Sequence, residues 1–144
     1  MPDFDPIAFE DALIDDMRAH DGAVTSGPLA GHPLLVLSSI GARSGDPRRA
    51  ILTFSRDGGD YVVAGTASGA PTDPAWVSNL LHHPEVAIEA ENRRFQAIAT
   101  PVEGAERERL WDQHVERLPW FADYPEQSGR TIPMFRLTPV APKT

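Results

Sequence analysis

Apolar residues recur at helical spacing in three segments of the chain. The pattern predicts amphipathic helices over residues 6–20, from Asp73 to about residue 83, and over 104–118. In the second helix Asp73 can act as the N-cap, with Pro74 in the first turn. The predicted apolar faces are Phe9, Leu13, Ile14 and Met17; Trp76, Val77, Leu80 and Leu81; and Leu110, Trp111, His114, Val115 and Leu118.

Shorter apolar runs between these helices predict strands. Residues 34–40 are almost continuously apolar, which is typical of a central strand. Asp57-Gly58-Gly59-Asp60 has the composition of a tight hairpin turn. The predicted strands cover residues 34–40, 49–55, 61–64, 86–90, 95–102 and 132–137.

The order of these elements defines a fold class. About six mostly antiparallel strands, joined by short turns and interrupted by helices, predict a mainly β or α+β fold. A closed or half-closed barrel with helices packed outside fits this order, and an open antiparallel α+β sandwich is the alternative. A Rossmann fold is excluded, because the chain lacks regular strand–helix alternation and a Gly-x-Gly-x-x-Gly turn.

Size and composition narrow the picture further. The 144 residues suit one domain, residues 1–144, with an N-terminal helix at about 6–20. The absence of cysteine excludes disulfides, iron–sulfur clusters and thiolate zinc sites, and no histidine spacing suggests another metal site. No secretory signal or spanning segment is evident, so we expect a cytoplasmic protein. Peripheral membrane contact, and the choice between monomer and homodimer, stay open.

Charge is distributed unevenly along the chain. The net charge is −8, which disfavours binding to a nucleic acid backbone. Residues 1–21 are strongly acidic, whereas residues 41–49 hold Arg43, Arg48 and Arg49 against Asp46 alone. A local basic spot on an acidic protein indicates a specific small anion.

Three segments could carry chemistry. In residues 41–49 a glycine turn, Ser44 and the arginines could bind phosphate or carboxylate, or form a solvated hairpin tip. Residues 65–76 could support a planar ring at a helix N-terminus, or simply connect a strand to a helix. Residues 118–124 could wall a pocket for a flat ligand, or plug the barrel end. His114, on the apolar side of its helix, is predicted to be a core histidine.

From about Phe9 to Thr138 the chain carries an ordered series of short motifs. The series resembles the deazaflavin-dependent nitroreductases, small split-barrel enzymes that use coenzyme F420. The motifs are Gly27-Pro28-Leu29-Ala30-Gly31-His32-Pro33, Gly41-x-x-Ser44-Gly45-x-Pro47-Arg48, Asp57-Gly58-x-x-Tyr61-Val62-Val63, Gly69-Ala70-Pro71-x-x-Pro74-Ala75-Trp76-x-x-Asn79-Leu80, His83-Pro84-x-Val86, Phe121-Ala122-Asp123-Tyr124 and Arg130-Thr131-Ile132-Pro133. Each motif is modest alone, and the ordered set is specific.

The resemblance implies a split β-barrel of the FMN-binding type, with F420 in a groove along it. Its anionic tail would meet the arginine turn, and its ring would lie against the backbone of residues 51–53. The residues that the resemblance assigns to the cofactor are Ala42, Arg43, Ser44, Arg48, Arg49, Ile51, Leu52, Thr53, Thr66, Ala67, Ser68, Gly69, Ala75, Trp76, Val77, Asn79 and Phe121.

The resemblance also implies a reaction. A hydride would pass from reduced F420 to an organic acceptor such as a quinone, a nitroaromatic or an activated enone or lactone. Met17, Leu118, Trp120 and Tyr124 are the candidate acceptor contacts, with Tyr124 as the catalytic candidate. The alternatives are an FMN-binding reductase of the same fold and a non-catalytic F420 carrier.

Overall fold

The structure is a computed structural model in which residues 6–20, 25, 31–66, 72–91, 93–129 and 131–140 are described, without the side chains of 6–10. The helices are α1 (Pro6–Ala19), α2 (Ala75–His82), α3 (Gly104–Arg117), a 3-10 helix (Pro119–Asp123) and α4 (Tyr124–Ser128). The strands are β1 (Leu34–Ile40), β2 (Pro47–Thr53), β3 (Ser55–Asp57), β4 (Asp60–Ala64), β5 (Glu85–Ala90), β6 (Arg93–Pro101) and β7 (Met134–Pro139).

All described strands belong to one antiparallel sheet in the order β2-β1-β5-β6-β7-β4-β3. The two edge strands, β2 and β3, are separated in the chain by Phe54 alone. The sheet therefore has to curl until its two edges meet at Phe54, a place that we call the seam. The predicted split barrel with helices packed outside is confirmed.

The seam is also where the strand prediction needs correction. Residues 49–55 were expected to form one strand, but pairing with β1 ends at Phe54, whose backbone N–H makes the last contact, with the carbonyl of Pro33 at 3.0 Å. The chain then pairs with β4 instead of β1, so that Ser55 lies opposite Val62. One predicted strand thereby becomes two, and the sheet has seven strands instead of about six.

Side chains on the two faces of the sheet form separate apolar clusters. The barrel interior is filled by residues such as Leu35, Leu37 and Phe135, together with Trp76 and Leu80 of α2. Leu13, Ile14 and Met17 of α1 cover the outer side of β1. Leu110 of α3 and the segment that follows it cover the outer side of β4 and β7. The predicted apolar faces are therefore at least partly buried, except that Leu81 of α2 is 58% exposed, and the side chain of Phe9 lies outside the described residues.

An ion-pair network fastens α3 to the sheet. Arg136 of β7 pairs with Asp57 at 2.9 Å and with Asp60 at 2.8 Å, and it also reaches Glu106 of α3. Arg109 of α3 donates to both carboxylate oxygens of Asp57 at 3.0 and 3.1 Å. Hydrogen bonds from Arg109 and Arg136 lower the pKa of Asp57 to about 2. The carboxylate therefore stays ionised far into the acid range, which maintains this attachment.

Several boundaries differ from the sequence prediction, and β2 and β6 each begin two residues earlier than predicted, at Pro47 and Arg93. Helix α2 begins at Ala75, so that Pro74 takes the cap position predicted for Asp73 instead of lying in the first turn. Residues 119–128 were expected to be irregular as far as Tyr124, but they form the 3-10 helix and α4. Strand β7 begins two residues later than predicted, at Met134. Among the helices that the structure describes, none is both long and apolar enough to span a membrane.

Candidate functional site

The turn between β1 and β2 is built around Gly41. Its N–H donates to the carbonyl of Asp46 at 2.8 Å, and its carbonyl accepts from the N–H of Gly45 at 3.0 Å. A Cβ atom at residue 41 would lie 2.6 Å from Ser44 Oγ, which is closer than packing allows. Ser44 Oγ accepts from the N–H of Asp46 and from the Arg48 guanidinium, both at 3.1 Å. Glycine at this position lets Ser44 fold back onto the turn and hold Arg48 beside it.

Arg48 and Arg49 lie on opposite faces of β2, because successive side chains of a strand alternate. Arg48 shares its face with Ala50 and Leu52, which pack towards the barrel interior. Arg49 lies on the face of α1, where its guanidinium pairs with Asp11 at 3.0 Å. The two arginines were expected to hold the same tail, but the strand geometry separates them.

Asn79 connects the arginine turn to α2. The side chain is 7% exposed, and its Oδ1 accepts from the backbone N–H of Ala42 at 2.9 Å. The predicted binding residue is therefore already engaged in positioning the turn. Arg43, which follows Ala42 in the same turn, is exposed.

Strand β2 presents a free edge. Among the described strands, β2 pairs only with β1. Ile51, Leu52 and Thr53 are each half-buried along it. Unpaired strand edges offer backbone N–H and C=O groups to a ligand. The predicted ring-binding backbone is therefore accessible for that role.

The segment after β4 packs against α2 and against Pro133, whose carbonyl accepts from the N–H of Gly65 at 2.8 Å. Gly65 packs tightly, since a Cβ atom there would lie 2.7 Å from Val77 Cγ2. Thr66 is buried, while Ala67, Ser68 and Gly69 lie outside the described residues. Trp76 and Val77 are buried in the barrel interior, and Ala75 is exposed at the start of α2. Trp76 and Val77 therefore pack in the barrel interior, behind the expected cofactor groove.

Four residues that were predicted to contact the cofactor or the acceptor lie together after α3, namely Leu118, Trp120, Phe121 and Tyr124. Leu118 and Phe121 are buried against Ala64 of β4, with Tyr124 half-buried beside them. Phe121 contacts Trp120 and Tyr124 at ring-centroid distances of 5.8 and 5.2 Å. We call Trp120, Phe121 and Tyr124 the aromatic wall.

Two contacts place the aromatic wall at the seam. Trp120 stacks on His32 at 4.7 Å, and the adjacent Pro33 accepts the hydrogen bond from Phe54. Behind Phe121, the His114 ring contacts it edge-on at 4.6 Å and hydrogen-bonds Ser55 Oγ through Nδ1 at 2.6 Å. The first route ends at Phe54 and the second at Ser55, the two residues that follow β2.

His114 is the core histidine that the sequence predicted, but only one of its two ring nitrogens has a hydrogen-bond partner among the described residues. Its exposed fraction is 0%, and Nε2 has no hydrogen-bond partner among the described residues. Burial lowers the pKa of His114 to about 4, with a smaller contribution from the positive charge of Arg117. The ring is therefore neutral at neutral pH.

Met17 lies apart from the aromatic wall. It is 2% exposed between α1 and β1, in contact with the apolar cluster around Leu34 and Val36. Beside this cluster is a groove of about 890 Å³ on the outer face of the sheet, whose lining includes Arg18, Arg49 and Glu89. Arg18 binds both carboxylate oxygens of Glu89 at 2.9 Å. This groove lies on the opposite face of β2 from Arg48.

The sequence analysis missed Ser55 and His32, which attach the aromatic wall to the seam. Ser55 was read as the end of a longer strand, and His32 belonged to a motif without an assigned role. Asp11, which pairs with Arg49, was counted only as part of the acidic N-terminal region. Local patterns carried no signal for these contacts, because each joins residues that are distant in the chain.

This arrangement is matched by a known family. The sequence profile of the F420H2-dependent quinone reductases matches residues 13–139 of the chain. The chain is also 32% identical over 136 residues to an F420H2-dependent quinone reductase of Mycobacterium tuberculosis, covering 85% of this chain and 89% of the relative. A putative F420H2-dependent quinone reductase of Mycobacterium bovis matches with the same identity and coverage.

Solved structures agree with the sequence comparison. An F420H2-dependent reductase aligns with a TM-score of 0.67 and 30% identity, covering 73% of this chain and 93% of the other. A structure described as a domain-swapped dimer aligns with a TM-score of 0.69 and 25% identity, covering 92% and 99%.

The fold and the profile together define a split-barrel oxidoreductase. The chain belongs to the F420H2-dependent quinone reductase family, which confirms the resemblance seen in its motifs. Its cofactor is accordingly coenzyme F420, in preference to the FMN alternative.

The Asn79 contact leads to a first prediction. In Asn79→Ala the N–H of Ala42 loses its acceptor, so we expect a loss of about 1–3 kcal/mol in the free energy of unfolding. We also expect faster amide exchange at Ala42 and weaker F420 binding. Urea unfolding and amide exchange followed by NMR would measure the first two effects, and F420 fluorescence titration the third.

The matched control is Ser78→Ala, because Ser78 is the exposed neighbour of Asn79 on α2. Equal stability and equal exchange at Ala42 in the two variants would show that Asn79 does not hold the turn.

Proposed function

We propose that the chain binds F420 across the seam and transfers a hydride from its reduced form to an acceptor held by the aromatic wall. The observation that carries this proposal is the order of three features along β2: the arginine turn before its first residue, an edge that no described strand covers, and the aromatic wall beyond its last residue. Contacts of Ser55 and His32 bring the wall to the end of β2. A ring on the strand edge would therefore face an acceptor on the wall.

Arg48 and Ser44 are our candidates for the anionic tail, with Arg43 beside them. The Ser44 hydroxyl holds the Arg48 guanidinium at 3.1 Å, so the cation is partly preorganised before the ligand arrives. Guanidinium groups bind phosphate and carboxylate oxygens through paired hydrogen bonds. Arg49 drops out of this set, because it pairs with Asp11 on the other face of β2.

The backbone of Ile51 to Thr53 is our candidate surface for the cofactor ring. This edge is half-buried and is not covered by another described strand. Backbone groups along it can bond the polar atoms of a flat heterocycle while Leu52 packs towards the interior. When bound, F420 supplies the hydride, and the protein supplies position and exclusion of water.

The aromatic wall is our candidate acceptor site. Flat aromatic side chains suit a planar acceptor, and quinones are the class that the family description names. Nitroaromatics and activated enones or lactones share the flat, electron-poor character and form the second tier of our proposal. Tyr124, half-buried at the wall, is our candidate to donate a proton or a hydrogen bond to the reduced acceptor.

We further propose that the protein works in the cytoplasm on small molecules. A lipid-soluble quinone would require peripheral contact with a membrane surface. The solved relative described as a domain-swapped dimer makes a homodimer one assembly to test beside the monomer.

Turnover with reduced F420 tests the proposed reaction. We expect the purified chain to oxidise F420H2 in the presence of menadione. With nitroaromatics, enones and unsaturated lactones we expect lower rates than with menadione, or reaction with only some of the compounds. Loss of F420H2 absorbance would be followed for each acceptor. Tight F420 binding without turnover on any acceptor would instead favour a carrier protein.

Two adjacent arginines provide a matched pair for the tail site. Arg48 is held at the turn by Ser44, while Arg49 pairs with Asp11 of α1. We therefore expect Arg48→Ala to weaken F420 binding by about 10- to 100-fold. Arg49→Ala should change the Kd by less than about threefold. Fluorescence titration of both variants measures the difference. A larger effect at Arg49 than at Arg48 would place the tail on the other face of β2.

Tyr124→Phe tests the acceptor side. Removing the hydroxyl while keeping the ring should lower kcat with menadione by roughly tenfold, with the Kd for F420 almost unchanged. Stopped-flow oxidation of bound F420H2 would separate the chemical step from binding. An unchanged rate would exclude Tyr124 as the proton donor and leave that role to solvent.

A further inference from the structure

We infer that His114 is a positioning residue, which sets the aromatic wall relative to the seam through its hydrogen bond to Ser55 and its edge contact with Phe121. This inference rests on the proposed function, because it assigns the acceptor to that wall. No reacting group is placed in contact with His114 itself. Its effect on the reaction is therefore indirect and should appear in acceptor binding.

The first step in the argument is the location of Ser55. It is the first residue of β3, directly after Phe54, and it is 4% exposed. Its hydroxyl meets His114 Nδ1 at 2.6 Å, between α3 and the outer side of the sheet. This contact joins α3 to the point where the chain passes from one sheet edge to the other.

The second step is the orientation of the imidazole ring. A hydrogen bond at Nδ1 restricts rotation of the ring about its bond to Cβ, and the remaining nitrogen has no partner among the described residues that would fix it otherwise. The ring meets Phe121 at an interplanar angle of 85° and a centroid distance of 4.6 Å. Since an edge-on contact depends on the angle between the planes, loss of the Ser55 bond should let Phe121 tilt.

The third step is the continuation to Tyr124. Phe121 contacts Tyr124 in a second edge-on pair, at 5.2 Å and 72°. A tilt of Phe121 therefore displaces Tyr124. The arginine turn is held by a different contact, from Asn79 to Ala42, so the tail site should be unaffected. The inference therefore predicts a change in KM for the acceptor with little change in Kd for F420.

The experiment compares Ser55→Ala and His114→Phe with Ser38→Ala, a substitution of an exposed serine on the outer side of β1. Ser55→Ala keeps the imidazole but removes its bond, while His114→Phe keeps an aromatic ring and removes both nitrogens. Each variant is assayed for KM with menadione, for Kd with oxidised F420 and for thermal unfolding. We expect both test variants to raise KM by about tenfold and to change Kd by less than about twofold.

A second readout needs neither cofactor nor acceptor. The chain contains only two tyrosines, Tyr61 and Tyr124, so protein labelled with 3-fluorotyrosine gives two fluorine resonances. Tyr124→Phe identifies which is which. In Ser55→Ala and His114→Phe we expect the Tyr124 resonance to shift or broaden, and in Ser38→Ala to stay in place.

The outcomes separate the inference from the proposed function. The inference is overturned if the Tyr124 resonance and the KM both stay unchanged in the two folded variants. It is also overturned if the KM for menadione and the Kd for F420 rise by the same factor. Should Ser55→Ala fail to fold, His114→Phe decides the question by the same criteria. If the wild-type protein oxidises no F420H2 with any acceptor, the proposed function fails, while the fluorine spectra still decide whether His114 positions the wall.

Discussion

The site depends on the change of strand partner that follows Phe54. Phe54 makes the last contact with the β1 side, at Pro33, and the next residue, Ser55, pairs with β4 at the other edge of the sheet. This leaves the outer edge of β2 without a neighbouring strand among those described. If the chain continued along β1 beyond residue 54, Ser55 would not pair with β4 beside α3. The proposed ring surface and the attachment of the aromatic wall both follow from this break.

Charge at the site is arranged locally, against the net charge of the protein. Ser44 and the Gly41 turn hold Arg48 on one face of β2, while Asp11 takes Arg49 on the other. Other arginines form ion pairs that hold the fold together, such as Arg136 with Asp57 and Asp60. A negatively charged cofactor can therefore meet a focused positive charge on an otherwise acidic molecule.

Periodicity predicted most of the fold. The spacing of Leu13 and Met17 placed a buried helix face, and Asp57 to Asp60 placed a hairpin, because both signals arise from neighbours in the chain. The break at Phe54 was hidden, since residues 49–55 read as one uninterrupted strand. The 3-10 helix and α4 were missed for a related reason. Each has five residues, which is too short to show a helical period.

Motifs identified the family and most of the candidate site, but they could not separate binding residues from supporting ones. Asn79 and Trp76 both belong to one family motif. Asn79, however, accepts a hydrogen bond from Ala42, and Trp76 fills the barrel interior. Arg48 and Arg49 are adjacent in sequence, and only the start of β2 at Pro47 shows that they alternate across a strand. Such distinctions require the long-range contacts that folding creates.

A crystal structure of the chain with oxidised F420 tests the central claim most directly. We predict the anionic tail within hydrogen-bonding distance of Arg48 and Ser44, and the ring along the edge of β2, facing Phe121. A cofactor seated in the outer groove between Arg18 and Arg49, with the Arg48 guanidinium directed into solvent, would contradict the account.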